Sequence, residues 1–521
     1  MIAKRKPLKP YTLKDVTIIE DAKVRRVIAA AALGNAMEWF DFGVYGYLVT
    51  ALGKVFFPAV SNSVQLVATF ATVSITFIMR PLGGFVFGLL GDRHGRQSVL
   101  AATIIIMSIS TFCIGLIPSF ASIGLWAPLL LLLCKMAQGF SVGGEYTGAA
   151  IFIAEYSPDR KRGFWSSFLD FGAFSGFIAG AGVVELLTMV MGPDAIVNWG
   201  WRLPFFLALP LGLLGIYFRH ELEETPAFQQ HTDSLAQDNQ AKDAQKPAAP
   251  RKSAGQDEAD KAVAGTAPRV SFKSILHQYW RALLICVGLV ITAMMATHLM
   301  LTYMPSYLTG SLGYAPQSGV FIMLVVMVGM LFIQPMIGWM SDRVGRKPFF
   351  YAGSIGLILL SIPGFWGIDS GHPWLVFLGL FLFAALMNCF TGVCGSILPA
   401  MFPTAVRYSA LASAFNIAVV AAGQSPTIMA ALVSWTGNLM MPAYFMMGVG
   451  GVGLVTSIFM RETANMPLRG SKPMASSLEE AREILLEHYE TLEEKIEAID
   501  EEVELLLQRR KRLVEQHPHV D

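Results

Sequence analysis

An apolar run of roughly twenty residues is long enough to cross a bilayer as a helix. This chain repeats such runs near 29–51, 65–88, 97–117, 124–152, 164–191, 201–219, 281–308, 317–340, 349–367, 374–400, 408–434 and 441–460. That spacing predicts an all-α integral membrane protein of twelve transmembrane helices. Of its 521 residues 54% are hydrophobic and only 15% charged, too apolar a balance for a soluble domain. Lys and Arg occur in short dispersed clusters with no broad basic face, so nucleic acid is not an expected partner. The cysteines, at 113, 134, 286, 389 and 394, have neither metal nor disulfide spacing and read as packing residues. No metal or cofactor site, nucleotide-binding stretch or enzyme chemistry is visible. The N-terminus lacks an apolar core followed by a small-residue cleavage site, so the first span is expected to insert uncleaved.

Orientation follows from the loops. KRK before the first run, GDRHGRQ, SPDRKRG, the 220–280 segment, SDRVGRK, TAVR and RET all fall on one side, whereas FPAVSNS, IPSFASIG and SWTGNL carry almost no Lys or Arg. The positive-inside rule then places both termini in the cytoplasm. The segment 223–270 is polar and rich in Ala, Gln, Asp, Lys and Pro, cannot bury a core, and reads as a linker. Five regions result: a cytoplasmic N-terminal segment over 1–26, six-helix bundles over 27–222 and 271–465, the linker between them, and a C-terminal coiled coil over 477–516. SFKSILHQYWRALL, with Tyr279 and Trp280 beside Lys273 and Arg281, is amphipathic and suits the membrane interface before the seventh helix.

The halves echo one another. GLLGDRHGRQ (Gly88, Asp92, Arg93, Gly95, Arg96) recurs as GWMSDRVGRK (Gly338, Asp342, Arg343, Gly345, Arg346), each between the second and third helix of its half. A weaker pair is EYSPDRKRG, with Glu155 and Arg162, and MFPTAVRYS. Repeated halves in a membrane protein point to a transporter whose site lies between them near the midplane.

Candidate site residues are the ionisable groups inside the helices, where a charge is expensive and usually faces a wet cavity. LGNAMEWFDFGVYGY places Glu38 and Asp41 in the first helix. At 100° per residue Asn35, Glu38, Phe42 and Tyr45 share a stripe, with Asp41 on its flank and Trp39 on the other side. In the fourth helix Lys135, Gln138, Val142 and Glu145 share another stripe, and the Gly139, Gly143 and Gly144 run permits close packing. Lys135 and Glu145 have a bland reading as an internal ion pair with Glu38 or Asp41. Arg80 and Asp170 read as structural partners, and His298 as a core histidine.

The tail is a different object. Leu478, Leu485, Leu492, Ile499, Leu506 and Leu513 repeat every seven residues, with Ile496, Val503 and Arg510 among the intervening seam positions. This is a coiled-coil heptad that predicts a homodimer, of undecided strand orientation.

These motifs resemble the major facilitator superfamily. The doubled G-x-x-x-D-R-x-G-R loops and the Glu155 to Arg162 spacing resemble its signatures, while NAMEWFDFGVYG, GFSVGGEYTGA and AEYSPDRKRG are similar to its metabolite:proton symporter branch, including osmosensory members with a coiled-coil extension. The resemblance implies the inner membrane of a bacterium, contact with membrane lipids, and symport of protons with a small zwitterion such as proline or glycine betaine, activated by high osmolality. Glu38, Asp41 and Glu145 would carry the coupled proton. Trp39, Phe42 and Tyr45 would hold the ammonium by cation–π contact, Lys135 the carboxylate, and Asn35 and Gln138 would complete the site. The Asp92–Arg93 and Asp342–Arg343 loops, with Glu155 and Arg162, would latch the gates. A dicarboxylate symporter is the near alternative, and a non-transporting sensor signalling through its coiled coil the distant one.

Overall fold

The computed structural model describes residues 16–59, 62–94, 96–220, 272–314 and 316–487, together with Leu13, Glu493 and Ile496. The linker expected over 223–270 lies outside the described residues. Helices dominate: α1 (Asp21–Phe56), α2 (Asn62–His94), α3 (Arg96–Leu116), α4 (Trp126–Val142), α5 (Glu145–Tyr156), α6 (Arg162–Met191), α7 (Arg202–Phe206) and α8 (Ala208–His220) form the front part. The back part holds α9 (Phe272–His298), α10 (Pro316–Val344), α11 (Lys347–Asp369), α12 (Pro373–Ala400), α13 (Arg407–Gly423), α14 (Ser425–Thr436) and α15 (Met441–Phe459). Among the described residues eight helical stretches are long and apolar enough to cross a membrane.

Several of the apolar runs are interrupted. The fourth breaks at Gly143 and Gly144 into α4 and α5, so Lys135, Gln138 and Glu145 do not lie on one unbroken helix. The helix that carries the seventh, α9, kinks at Tyr279 just before the run and passes after His298 into a π-helical turn, Leu299–Tyr303. The eleventh breaks between α13 and α14 at Gln424, followed by Pro426, which cannot continue a helical hydrogen-bond ladder.

Close approach of helices is made by glycine. A Cβ on Gly176 of α6 would sit 1.9 Å from the Ala36 carbonyl oxygen of α1, and one on Gly139 of α4 would sit 2.1 Å from the Thr76 oxygen of α2. Without side chains there, backbones pack directly, as expected where lipid supplies no hydrophobic drive between helices. The front and back parts meet chiefly through α2 on α13 and through α6 on α10 and α12.

One face also carries a two-stranded parallel sheet, β1 (Thr17–Ile18) with β2 (Met474–Ala475), registered Thr17 to Met474 and Ile18 to Ala475. A helix follows from residue 478. Ser477 Oγ accepts the Glu480 N–H at 3.2 Å, and the Glu480 carboxylate accepts from Ser476 N at 2.7 Å, a reciprocal cap that explains why the helix starts there.

Candidate functional site

A narrow cavity lies where α1, α2, α9 and the α13–α14 break converge, lined by Trp39, Phe42, Tyr45, Phe77, His298 and Pro426 among others. Aromatic residues on three helices form much of its wall. Phe42 and Phe77 stack with centroids 5.6 Å apart, Trp39 lies 5.7 Å from Phe42 and 6.3 Å from His298, and Phe77 meets His298 edge-on at 5.0 Å. Trp39 therefore belongs to the cavity face, and its expected place on the other side of the helix is corrected. The cavity face is centred between Trp39 and Phe42 rather than on Glu38, which sits behind the rings.

Two buried ion pairs brace this wall. Arg80 Nη2 meets Glu38 Oε1 at 2.5 Å, and Lys135 Nζ meets Asp41 Oδ2 at 3.0 Å. All four residues are almost fully buried. The Arg80 guanidinium also lies 5.0 Å from the Phe77 centroid and 5.6 Å from that of Phe42, which a planar, weakly hydrated cation suits. Lys135 Nζ stands 4.1 Å over the Tyr45 ring, whose hydroxyl pairs with Thr72 Oγ1 at 2.5 Å. Removing one member of such a pair strands the other charge in a low-dielectric interior, at about 3–5 kcal/mol.

Several expectations change here. Arg80 pairs with Glu38 and not with Asp170, because it projects from α2 toward α1. Asp170 instead accepts the Tyr146 hydroxyl at 3.2 and 3.3 Å. Lys135 is engaged by Asp41 rather than open to a ligand. Asn35 donates to the Leu169 carbonyl at 2.7 Å and Gln138 to Thr111 Oγ1 at 2.6 Å, so both tie helices together. Glu145 opens α5 and is fully buried. His298, read as a core residue, lines the cavity, and its position just before a π-helical turn had no signature in the sequence.

On the β1–β2 face, side chains of one part reach into the other. Asp342 of α10 accepts the Gly163 and Phe164 N–H groups at 2.7 and 2.8 Å, so its carboxylate sits on the N-terminus of α6. Glu155 of α5 is met by Arg407 of α13, which lies in MFPTAVRYS and carries no pattern in the sequence that marks it as this partner. Arg162 pairs with Asp159 and donates to the Met466 carbonyl at 2.8 Å. Arg346 is fully buried and donates to the Ser396 and Thr463 carbonyls at 3.3 and 3.1 Å. Arg343 points away, stacked 3.8 Å over Trp339.

Gly345 takes φ of +100° and brings its backbone against the Glu462 carboxylate, which accepts the Arg346 and Lys347 N–H groups at 3.0 Å each. Burial works against the ionised Glu462, but backbone N–H donors from Lys347, Ala464, Arg346 and Thr463 outweigh it and hold the carboxyl below its ordinary range. The first Asp–Arg loop, expected to act as a gate, with Gly88, Asp92, Arg93, Gly95 and Arg96, lies outside the residues whose side chains are described.

The root of the tail docks on the same face. Arg160 bridges Glu483 and Glu487 at 2.5 and 2.6 Å, Asp159 accepts the Met474 N–H at 3.0 Å, and Leu485 packs in a cluster with Val16, Ala475 and Ala481. The heptad Leu485 is thus buried against its own chain, while Ile496 is 51% exposed. Leu492, Ile499, Val503, Leu506, Arg510 and Leu513 lie outside the described residues.

Comparison with known proteins adds an independent line. Residues 27–475 match the family described as sugar (and other) transporter, and residues 476–521 match the osmosensory transporter coiled coil. The chain is 58% identical over 518 residues to the proline/betaine transporter of Escherichia coli (strain K12), covering 99% of each. It is 56% identical over 521 residues to the glycine betaine/proline/ectoine/pipecolic acid transporter OusA of Dickeya dadantii, covering 100% of each. The ectoine/proline transporter ProP of Corynebacterium glutamicum is 38% identical over 479 residues, 91% of each chain. Among solved structures the proton:xylose symporter XylE superposes with a TM-score of 0.71 at 21% identity, covering 90% of this chain and 100% of that one, which speaks to fold alone.

Proposed function

The chain belongs to the sugar (and other) transporter family of the major facilitator fold and ends in an osmosensory transporter coiled coil, and from that premise we propose that it is a symporter of proline, glycine betaine and kindred zwitterions with protons. Twelve spanning helices in two six-helix halves, over 27–222 and 271–465, sit in the bacterial inner membrane with both termini in the cytoplasm. The tail, over 477–516, pairs two copies and sets the osmolality at which transport begins.

The observation that carries the coupling is the Glu38–Arg80 pair lying directly behind the cavity rings. A zwitterion offers an ammonium, which the faces of Trp39, Phe42 and Phe77 attract, and a carboxylate, which competes with Glu38 for Arg80. Protonating Glu38 removes that competitor and leaves Arg80 for the substrate carboxylate. Losing the proton restores the Glu38–Arg80 pair and expels the substrate carboxylate, so the two ligands enter and leave together. Asp41 with Lys135 is a second pair built the same way. Glu155–Arg407 and Asp342 on α6 hold the cytoplasmic side shut while the substrate enters from outside, and have to part for release.

The test is uptake of labelled proline, glycine betaine and citrate into proteoliposomes with and without an imposed inward proton gradient. The expected result is gradient-driven accumulation of the two zwitterions and not of citrate. In Glu38→Gln, gradient-driven accumulation disappears while substrate exchange across the membrane persists. Accumulation by Glu38→Gln at the native level would refute the coupling role.

A further inference from the structure

The cavity contains two polar groups that the protein leaves unpaired. His298 Nε2 and Trp39 Nε1 have no hydrogen-bond partner, although the two residues are only 4% and 6% exposed. Buried polar atoms are nearly always satisfied, so an orphan at a cavity wall asks for a ligand. The two rings stand side by side, 6.3 Å between centroids and 25° from parallel, in the same lining. His298 is also the last residue of α9 before the π-helical turn Leu299–Tyr303, a local widening that recurs at functional sites. Of the other rings, Phe42 and Phe77 have no polar atom to offer, and the Tyr45 hydroxyl is already paired with Thr72.

The two nitrogens differ in kind. An indole N–H can only donate, whereas a neutral imidazole has one nitrogen that accepts. Trp39 therefore suits the oxygen of a carboxylate. An accepting nitrogen suits an N–H, and the substrates of this site divide on that feature. The ammonium of proline carries N–H bonds, and that of glycine betaine is fully methylated and carries none. Cation–π attraction from the rings serves both alike.

We propose that His298 is a specificity-determining residue: its accepting ring nitrogen takes a hydrogen bond from the substrate ammonium, which favours substrates whose ammonium retains an N–H over quaternary ones. This rests on the reading that zwitterions occupy the cavity. The substrate N–H donates to the imidazole nitrogen, whereas a methyl group at the same place leaves that nitrogen buried and unpaired. Discrimination of this kind is steep, because the penalty falls on the wrong substrate as well as the benefit on the right one.

The experiment compares kcat/KM for proline and for glycine betaine in proteoliposomes of the full chain, using native protein, His298→Phe and His298→Gln. Phenylalanine keeps a ring in the wall and removes the acceptor, and glutamine keeps an acceptor and gives up the ring. The proline-to-betaine ratio is expected to fall about tenfold or more in His298→Phe, the size of a hydrogen bond to a charged group, and to recover in part in His298→Gln. An unchanged ratio in His298→Phe overturns the proposal, whatever the absolute rates. Loss of both substrates in both variants overturns it equally, since it assigns His298 a packing role. Native protein that takes up neither zwitterion would instead refute the reading of the cavity, an outcome distinct from either of these.

Discussion

Arg407 Nη1 lies 2.5 Å from Glu155 Oε1, joining α13 to α5 across the junction between the back and front parts with neither residue exposed to solvent. The same guanidinium donates through Nε to the Pro399 and Phe402 carbonyls at 3.1 Å each and through Nη2 to the Arg469 carbonyl at 2.8 Å. It is held from one side and grips from the other. In the proposed transport cycle this contact closes one conformation and is absent from its opposite.

Glu155→Gln should therefore bias the protein toward opening on that face, since a buried arginine loses its counter-charge at about 3–5 kcal/mol. Cys394, buried in α12, reports the change. Its labelling by a membrane-impermeant maleimide in inside-out vesicles should rise several-fold in Glu155→Gln, with uptake reduced. Reversal of the pair in Glu155→Arg with Arg407→Glu should recover part of both.

The glycine contacts predict a sharp contrast. Gly176→Ala places a Cβ against the Ala36 carbonyl, where only backbone movement can make room, whereas nothing lies within 4 Å of a Cβ at Gly182 on the same helix. The first substitution should destabilise the detergent-solubilised protein by about 1–3 kcal/mol, as overpacking does, and the second should leave its melting temperature unchanged.

Glu462 gives a pH signature. Its folded-state pKa is depressed, so the stability it contributes is present above the ordinary glutamate value of 4.5 and is lost as pH falls through the folded value. Glu462→Gln should lower the melting temperature at pH 7, and the gap from native protein should close as pH drops below that value. A gap that stays constant with pH would mean that packing, not charge, is what Glu462 contributes.

The Arg160 contacts to Glu483 and Glu487 are partly exposed, so each is worth about 0–1 kcal/mol and weakens as salt rises, screening being about 8 Å at physiological ionic strength. Arg160→Gln should shift the osmolality of half-maximal uptake downward while maximal uptake is kept. Deleting 477–521 should also leave transport itself working, since none of its described residues lines the aromatic cavity. An activation curve that does not move in either variant would leave the docked root without a regulatory part.

Fold and class were legible because they depend on sums: the length of the apolar runs, the Lys and Arg bias of alternate loops, and the doubled Asp–Arg loops. The transporter family follows from those same loops. Individual partners were less legible, because the side chain that answers a buried charge is chosen by helix rotation and tilt. Glu38 and Asp41 stood out as costly charges, but that Arg80 answers one and Lys135 the other depends on α2 and α4 approaching α1 at particular heights. Arg407 went unremarked because its loop lacks the acidic residue of its counterpart. His298 was set aside because an isolated histidine in an apolar run has no pattern, and only the convergence of α1, α2 and α9 shows that its ring faces a cavity.

Leu485 occupies a heptad seam position and is simultaneously packed with Val16 and Ala475 of its own chain. One side chain cannot be buried in both places. If the proposed two-chain seam extends to residue 485, it has to peel the tail root from β1 and β2, and intramolecular docking and intermolecular pairing then become rivals for the same leucine. Rivalry between a unimolecular and a bimolecular association is decided by density in the membrane. On that proposal, a cell that crowds this transporter into clusters favours the paired tail, and the osmolality at which transport begins depends on how much of the protein has been made.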